Sequence, residues 1–152
     1  MGRRHLIVAA ALVAALTSAI PAGAAIVWSE LSRGTGTGSV GAPVGYVAYS
    51  RGQAASFAAR IPGAKARVWT VNFQKTTIVA VLGEFGCADP RISVASITQQ
   101  SSSLLVVLKK YPLAKGRTEC SALFPTYRLL EIGRSALHRP LPTHVSVRLV
   151  SA

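Results

Sequence analysis

The chain has 152 residues, a formal net charge of +12 and only two cysteines. That length suits one domain with a core of its own that needs few staples, and a zinc site is not expected, since it wants four ligands and only His138 and His144 could assist the two cysteines. The basic residues are scattered and never form a block of five or six, so the charge is not that of a basic tail, and no nucleic-acid motif accompanies it.

Met1-Gly2-Arg3-Arg4-His5 is followed by an apolar run from Leu6 to Ile20 and then by Pro21-Ala22-Gly23-Ala24-Ala25. A positive start, a short apolar segment and a small-residue site form the pattern of a signal peptide, with cleavage after Ala24 or Ala25. A spanning helix needs about 20 apolar residues, and Pro21 and Gly23 interrupt this run. The division expected is therefore a leader over 1–24 and one secreted β-rich domain over 25–152, with no stable membrane span after processing. Removing Arg3 and Arg4 lowers the formal charge from +12 to +10.

Ile26 to Leu31 reads as a first strand whose inward set is Ile26, Trp28 and Glu30, or Val27, Ser29 and Leu31. Gly34 to Gly41 is glycine-rich, but no Gly-Lys-Ser/Thr follows, so it reads as a loop and not a phosphate cradle. Val44 to Tyr49 reads as a short strand. Ser50 can cap a helix that runs to Arg60, with Ala54, Phe57 and Ile61 on its packed face and Arg51 and Arg60 outside. Ile61-Pro62-Gly63 stops it.

Val68 to Phe73 leads toward the core. Ile78 to Leu82 is apolar at every position, as expected of a strand buried on both faces. Ile92 and Val94 alternate, but Ile97 falls on the opposite parity, which predicts a bulge near Ala95-Ser96. Gln99 to Ser102 is a polar turn into the strand marked by Leu104, Val106 and Leu108. Tyr127 to Ile132 is the next strand. His144 to Leu149 alternates with Val145, Val147 and Leu149 inward. The fold class expected is mainly β (α+β): an antiparallel sheet or small β-sandwich with one short packed helix.

Two cysteines in an exported chain predict one disulfide, Cys87–Cys120. If the strands at Ile78, Ile92 and Leu104 meander as neighbours, both cysteine loops fall at one end of the sheet. That end is the candidate partner surface: Phe85, Lys115, Arg117 and Phe124 around the two cysteines.

No catalytic set stands out. The acids after the leader are Glu30, Glu84, Asp89, Glu119 and Glu131, and no Gly-x-Ser-x-Gly or His-Glu-x-x-His is present. His138 and His144 read as solvated residues. No enzyme activity, cofactor or metal is expected. The composition fits an exported interaction domain, with an anionic envelope polymer as the alternative partner and nucleic acid excluded by export.

Val71-Asn72-Phe73-Gln74-Lys75 leading into Ile78-Val79-Ala80-Val81-Leu82-Gly83 resembles the C-terminal domain of the protease-complex subunit PrcB family. Pro125 to Ile132 is similar to that family's "P-Y-x-apolar-apolar-x-I" strand, and Ser50 to Arg60 sits where the family carries a short helix. The likeness spans about Trp28 to Val150. It implies a secreted, non-catalytic domain that accompanies or stabilises an extracellular protease. The family follows its strand with a Gly-Gly-Tyr loop, where this chain has Glu84-Phe85-Gly86-Cys87-Ala88-Asp89. That family loop is similar to the Thr-Gly-Tyr loop of chagasin-like cysteine-protease inhibitors. This chain lacks it, which makes protease inhibition the secondary implication.

Overall fold

The computed structural model describes residues 23–36, 41–61, 64–84, 92–112, 115–116 and 125–152. The expected leader therefore lies almost wholly outside the described residues, as do Phe85, Cys87, Arg117, Cys120 and Phe124. Among the described residues, no helix is long and apolar enough to cross a membrane.

The elements are β1 (Trp28–Thr35), β2 (Val44–Ala48), α1 (Arg51–Ala58), α2 (Ala64–Trp69), β3 (Thr76–Glu84), β4 (Ile92–Gln100), β5 (Ser103–Lys110), β6 (Pro125–Gly133), a single 3-10 turn (Arg134–Ala136) and β7 (His144–Ser151). The protein is mainly β, a seven-stranded curled sheet in the order β1-β6-β3-β2-β7-β5-β4. All pairings are antiparallel except β5 with β7, which run parallel from Ser103↔His144 to Lys110↔Ser151. The sheet is thus mixed, where antiparallel pairing throughout was expected.

The curl brings the two ends of the strand order together. The Ile26 amide donates to the Ile97 carbonyl on β4 at 2.8 Å, so the residues leading into β1 lie along the far edge strand. Arg128 on β6 adds a second clasp: its guanidinium donates to the Ile92 carbonyl and pairs with Glu30 on β1 at 2.7 Å. Arg128 shares the inward parity of Leu130 and Ile132. It is tolerated there because a carboxylate and a carbonyl satisfy it.

Alternation divides the apolar residues into two cores. Inside the curl lie Val79, Val81, Leu130 and Ile132 with Ile92, Val94, Ile97, Leu104, Val106 and Leu108, joined by Ile26 and Leu137. On the convex face, Ile78, Ala80, Leu82, Tyr127 and Leu129 pack beneath the helices. β3 serves both, which is why Thr77 through Gly83 are all buried.

Several expectations hold in detail. The register of β4 on β5 shifts between Val94 and Ser96, leaving Ala95 as the extra residue, and Ile97 returns to full burial. Ser50 caps α1 by accepting from the Gln53 amide at 3.2 Å, and Gln53 Oε1 accepts from the Tyr49 amide at 2.7 Å. Such reciprocal bonds occupy donors that a helix start otherwise leaves open. Ala54, Phe57 and Ile61 are buried while Arg51 and Arg60 are exposed. In β1 the inward set is Ile26 and Trp28, and a bulge between Glu30 and Ser32 turns Leu31 to the helix side.

Three expectations are corrected. β3 and β4 are not neighbours: β2, β7 and β5 stand between them. The two strands therefore stand in different halves of the sheet, and only β4–β5 is the expected hairpin. Leu149 is 42% exposed, because β7 meets β2 only at Gly45↔Val145 and its later residues run beyond the start of β2. A second helix, α2, joins the expected one. Ala64 and Val68 bury one side of it at i, i+4 spacing.

Candidate interaction face

The end of the domain singled out by the cysteines is described only at its margins. Glu84 pairs with Pro125, and Ile92 pairs with Lys110. The ends of β3 and β5 and the starts of β4 and β6 therefore lie at one end of the sheet, although the pair β3–β6 is not adjacent to the pair β4–β5. Of the six residues expected there, Lys115 alone is described, exposed in a turn with Gly116 at φ +87°. The other five, and the disulfide, lie outside the described residues.

The best-defined surface feature is elsewhere, on the outer side of α1 and α2. Trp69, the last residue of α2, is 54% exposed. The Arg51 guanidinium, from the first turn of α1, lies 5.1 Å from the indole centroid and donates to the Trp69 carbonyl at 3.1 Å. This cation–π contact ties the first turn of α1 to the end of α2. Beside it is a groove of about 240 Å³, lined by Arg51, Ala55, Ala58 and Ala59 and by Lys65, Val68 and Trp69 of α2. The groove exists because alanine leaves a hollow where a longer side chain would fill it.

The charge of this face is one-sided. Between Glu30 and Glu84 the sequence holds no aspartate or glutamate, while Arg33, Arg51, Arg60, Lys65, Arg67 and Lys75 fall within that span. Every acid among the described residues sits on β1, β3 or β6. Glu30 is held by Arg128 and by Arg33 at 3.4 Å. The helices thus carry Arg51, Lys65 and Arg67 and no acidic residue of their own, a positive field suited to an acidic partner.

A second, wider groove of about 780 Å³ opens where Tyr49, Ser50, Asn72, Gln74 and Arg134 meet. Its polar groups serve the fold. The Arg134 guanidinium lies 5.5 Å from the Tyr49 ring centroid and donates to the Tyr49 carbonyl. The Tyr49 hydroxyl donates to the Pro142 carbonyl at 2.7 Å. Burial pushes the Tyr49 phenol above its ordinary value, and the nearby Arg134 charge opposes that only in part. A phenol in that position stays protonated and acts as a clasp, not as a base.

No family model, curated protein or solved structure matches the chain.

Among the described residues, no group of three His, Cys, Asp or Glu side chains is placed to hold a metal ion. His138 and His144 are exposed, as expected. Sequence reasoning missed Trp69, because a tryptophan within an apolar stretch reads as core. The available signal was the acid-free span around it, which makes the α1–α2 segment uniformly cationic.

Proposed function

We propose that this chain is an exported, non-catalytic interaction domain that docks on an acidic protein partner, as an accessory or stabilising subunit of an extracellular protease complex. The leader pattern over 1–24 supports export, and the resemblance to the PrcB C-terminal domain supports the class of partner. The observation that carries the reading is the α1–α2 face. There an exposed tryptophan, contacted by Arg51, stands beside an apolar groove whose lining includes the cations Arg51 and Lys65. Aromatic and arginine side chains held in advance are the groups that most often anchor protein interfaces.

The test is recovery of a partner from the secreted fraction of the producing cell at moderate salt. A discrete protein retained by the wild type and lost with Arg51→Glu supports the reading. The formal charge of +10 left after the leader is removed favours one alternative, an anionic envelope polymer. Binding to envelope fractions that collapses on modest addition of salt, with no protein recovered, selects that alternative.

A further inference from the structure

Resting on that reading, we infer that the α1–α2 groove receives one bulky apolar side chain from a partner segment that carries acidic residues on either side of it. The groove's dimensions set the first half of this statement. At about 240 Å³ it falls below the range of about 300–1,000 Å³ usual for small-molecule sites, and so suits a single inserted side chain. Its apolar lining is three alanines, Val68 and the indole of Trp69. Apart from Arg51 and Lys65, nothing in that lining rewards a polar group.

The rims set the second half. Arg51 stands at one side and Lys65 at the other. Arg51 is already ordered by Trp69, so less freedom is lost when it meets a carboxylate. A guanidinium has five N–H donors, and the bond to the Trp69 carbonyl leaves others for an incoming acid. An apolar residue seated between the helices places its neighbours over these two cations.

The alternatives fit the shape less well. A lipid surface engages aromatic side chains that protrude from a convex face. Here Trp69 lines a recess. A flexible polyanion needs the cations alone and makes no use of the alanine lining.

The experiment pans a displayed library of random short peptides on the full exported chain. The expected consensus is a large apolar residue flanked by Asp or Glu. A synthesised winner should bind the wild type and lose roughly tenfold in affinity to Ala55→Leu, which fills the groove without altering charge, and to Lys65→Glu, which inverts one rim. Leucine is close to alanine in helix propensity, so Ala55→Leu should keep its fold, checked by its circular dichroism. Winners lacking either the apolar residue or the acids overturn the proposal. Equal binding to wild type and Ala55→Leu also overturns it, as does equal displacement of the peptide from both by phosphatidylglycerol vesicles or polyglutamate.

The proposed function is scored separately, by recovery from the secreted fraction with both proteins. A partner held equally by wild type and Ala55→Leu leaves the interaction-domain reading in place and removes the groove from it. Absence of any partner with the wild type removes the reading itself.

Discussion

The two faces of the β3–β6 pair are built from the same strands and solve different problems. Inward, Val79, Val81, Leu130 and Ile132 meet aliphatic side chains from β4 and β5 in a space that the sheet encloses by curling. Outward, Ile78, Ala80, Leu82 and Leu129 meet two short helices that lie across them. The enclosed face has little freedom to vary, because each side chain is bounded by strands on several sides. The helix face needs only its inner row, Ala54, Phe57, Ile61, Ala64 and Val68, to stay attached. Its outer row is left for other work, and that is where Arg51, Lys65 and Trp69 stand. One side of the sheet specifies the fold, and the other carries a surface whose residues can change with little effect on it.

Phe57→Ala tests that division most strongly. Phe57 is 2% exposed and stacks on Tyr46 with ring centroids 6.0 Å apart, so its loss should cost roughly 3–5 kcal/mol. Hydrogen exchange should show α1 and α2 amides losing protection while those of β5 keep it. Parallel loss in β5 would break the comparison and make the two faces one cooperative unit.

Cys87→Ser with Cys120→Ser tests the bridge expected from the sequence. It is expected to lower stability by roughly 2–4 kcal/mol under oxidising conditions, measured by denaturant unfolding. An unchanged midpoint, or a thiol that reacts in the secreted protein, refutes the bridge.

Gly45→Ala probes the seam where the two halves of the sheet join. A Cβ there would lie 2.4 Å from Val145 Cγ1, and β2 touches β7 in register only at this pair. Overpacking should cost about 1–3 kcal/mol, with the smaller Val145→Ala side chain restoring part of it in the double variant.

The smallest effect expected is that of Tyr49→Phe, about 0.5–1.5 kcal/mol from the lost bond to Pro142. Its pH dependence is more telling. Because the phenol is raised in the folded protein, its contribution is fully present below the ordinary tyrosine value. It is lost as pH rises through the folded value. The wild type should therefore destabilise on the alkaline side more steeply than Tyr49→Phe. Identical alkaline limbs would remove Tyr49 as the titrating clasp.

The parts of this fold that were legible in the sequence are those set by neighbours along the chain. Side-chain parity located the bulge at Ala95, the cap at Ser50 and the buried row of α1, because a strand or helix fixes these within a few residues. The order of the strands was not legible. Placing β6 between β1 and β3, and β7 beside β5 in parallel, depends on pairings between distant segments that periodicity cannot report. The inward position of Arg128 was not legible for the same reason: Glu30 and Ile92, which satisfy it there, are remote in sequence. For the candidate site, charge was visible from composition, but the hollow between α1 and α2 is a property of two helices packed together. The residues first chosen as a partner surface rested on the cysteines and fall almost entirely outside the described residues.

The clasp between Ile26 and Ile97 also sets an order of events. A ribosome releases Ile26 and Trp28 long before their partners on β4 and β6, so the first strand to emerge is among the last to be paired. β1 has both edges open until β6 arrives and stays at the end of the strand order afterwards, and open edges invite pairing with other chains. Its sequence is guarded accordingly: Glu30 and Arg33 place charge on the strand, and Gly34 weakens its extension toward Thr35. The assembled sheet then depends on contacts between the beginning and the later thirds of the chain, a topology that folds slowly for its size. Truncation at the C-terminal side that removes β6 would leave β1 without the strand it pairs with.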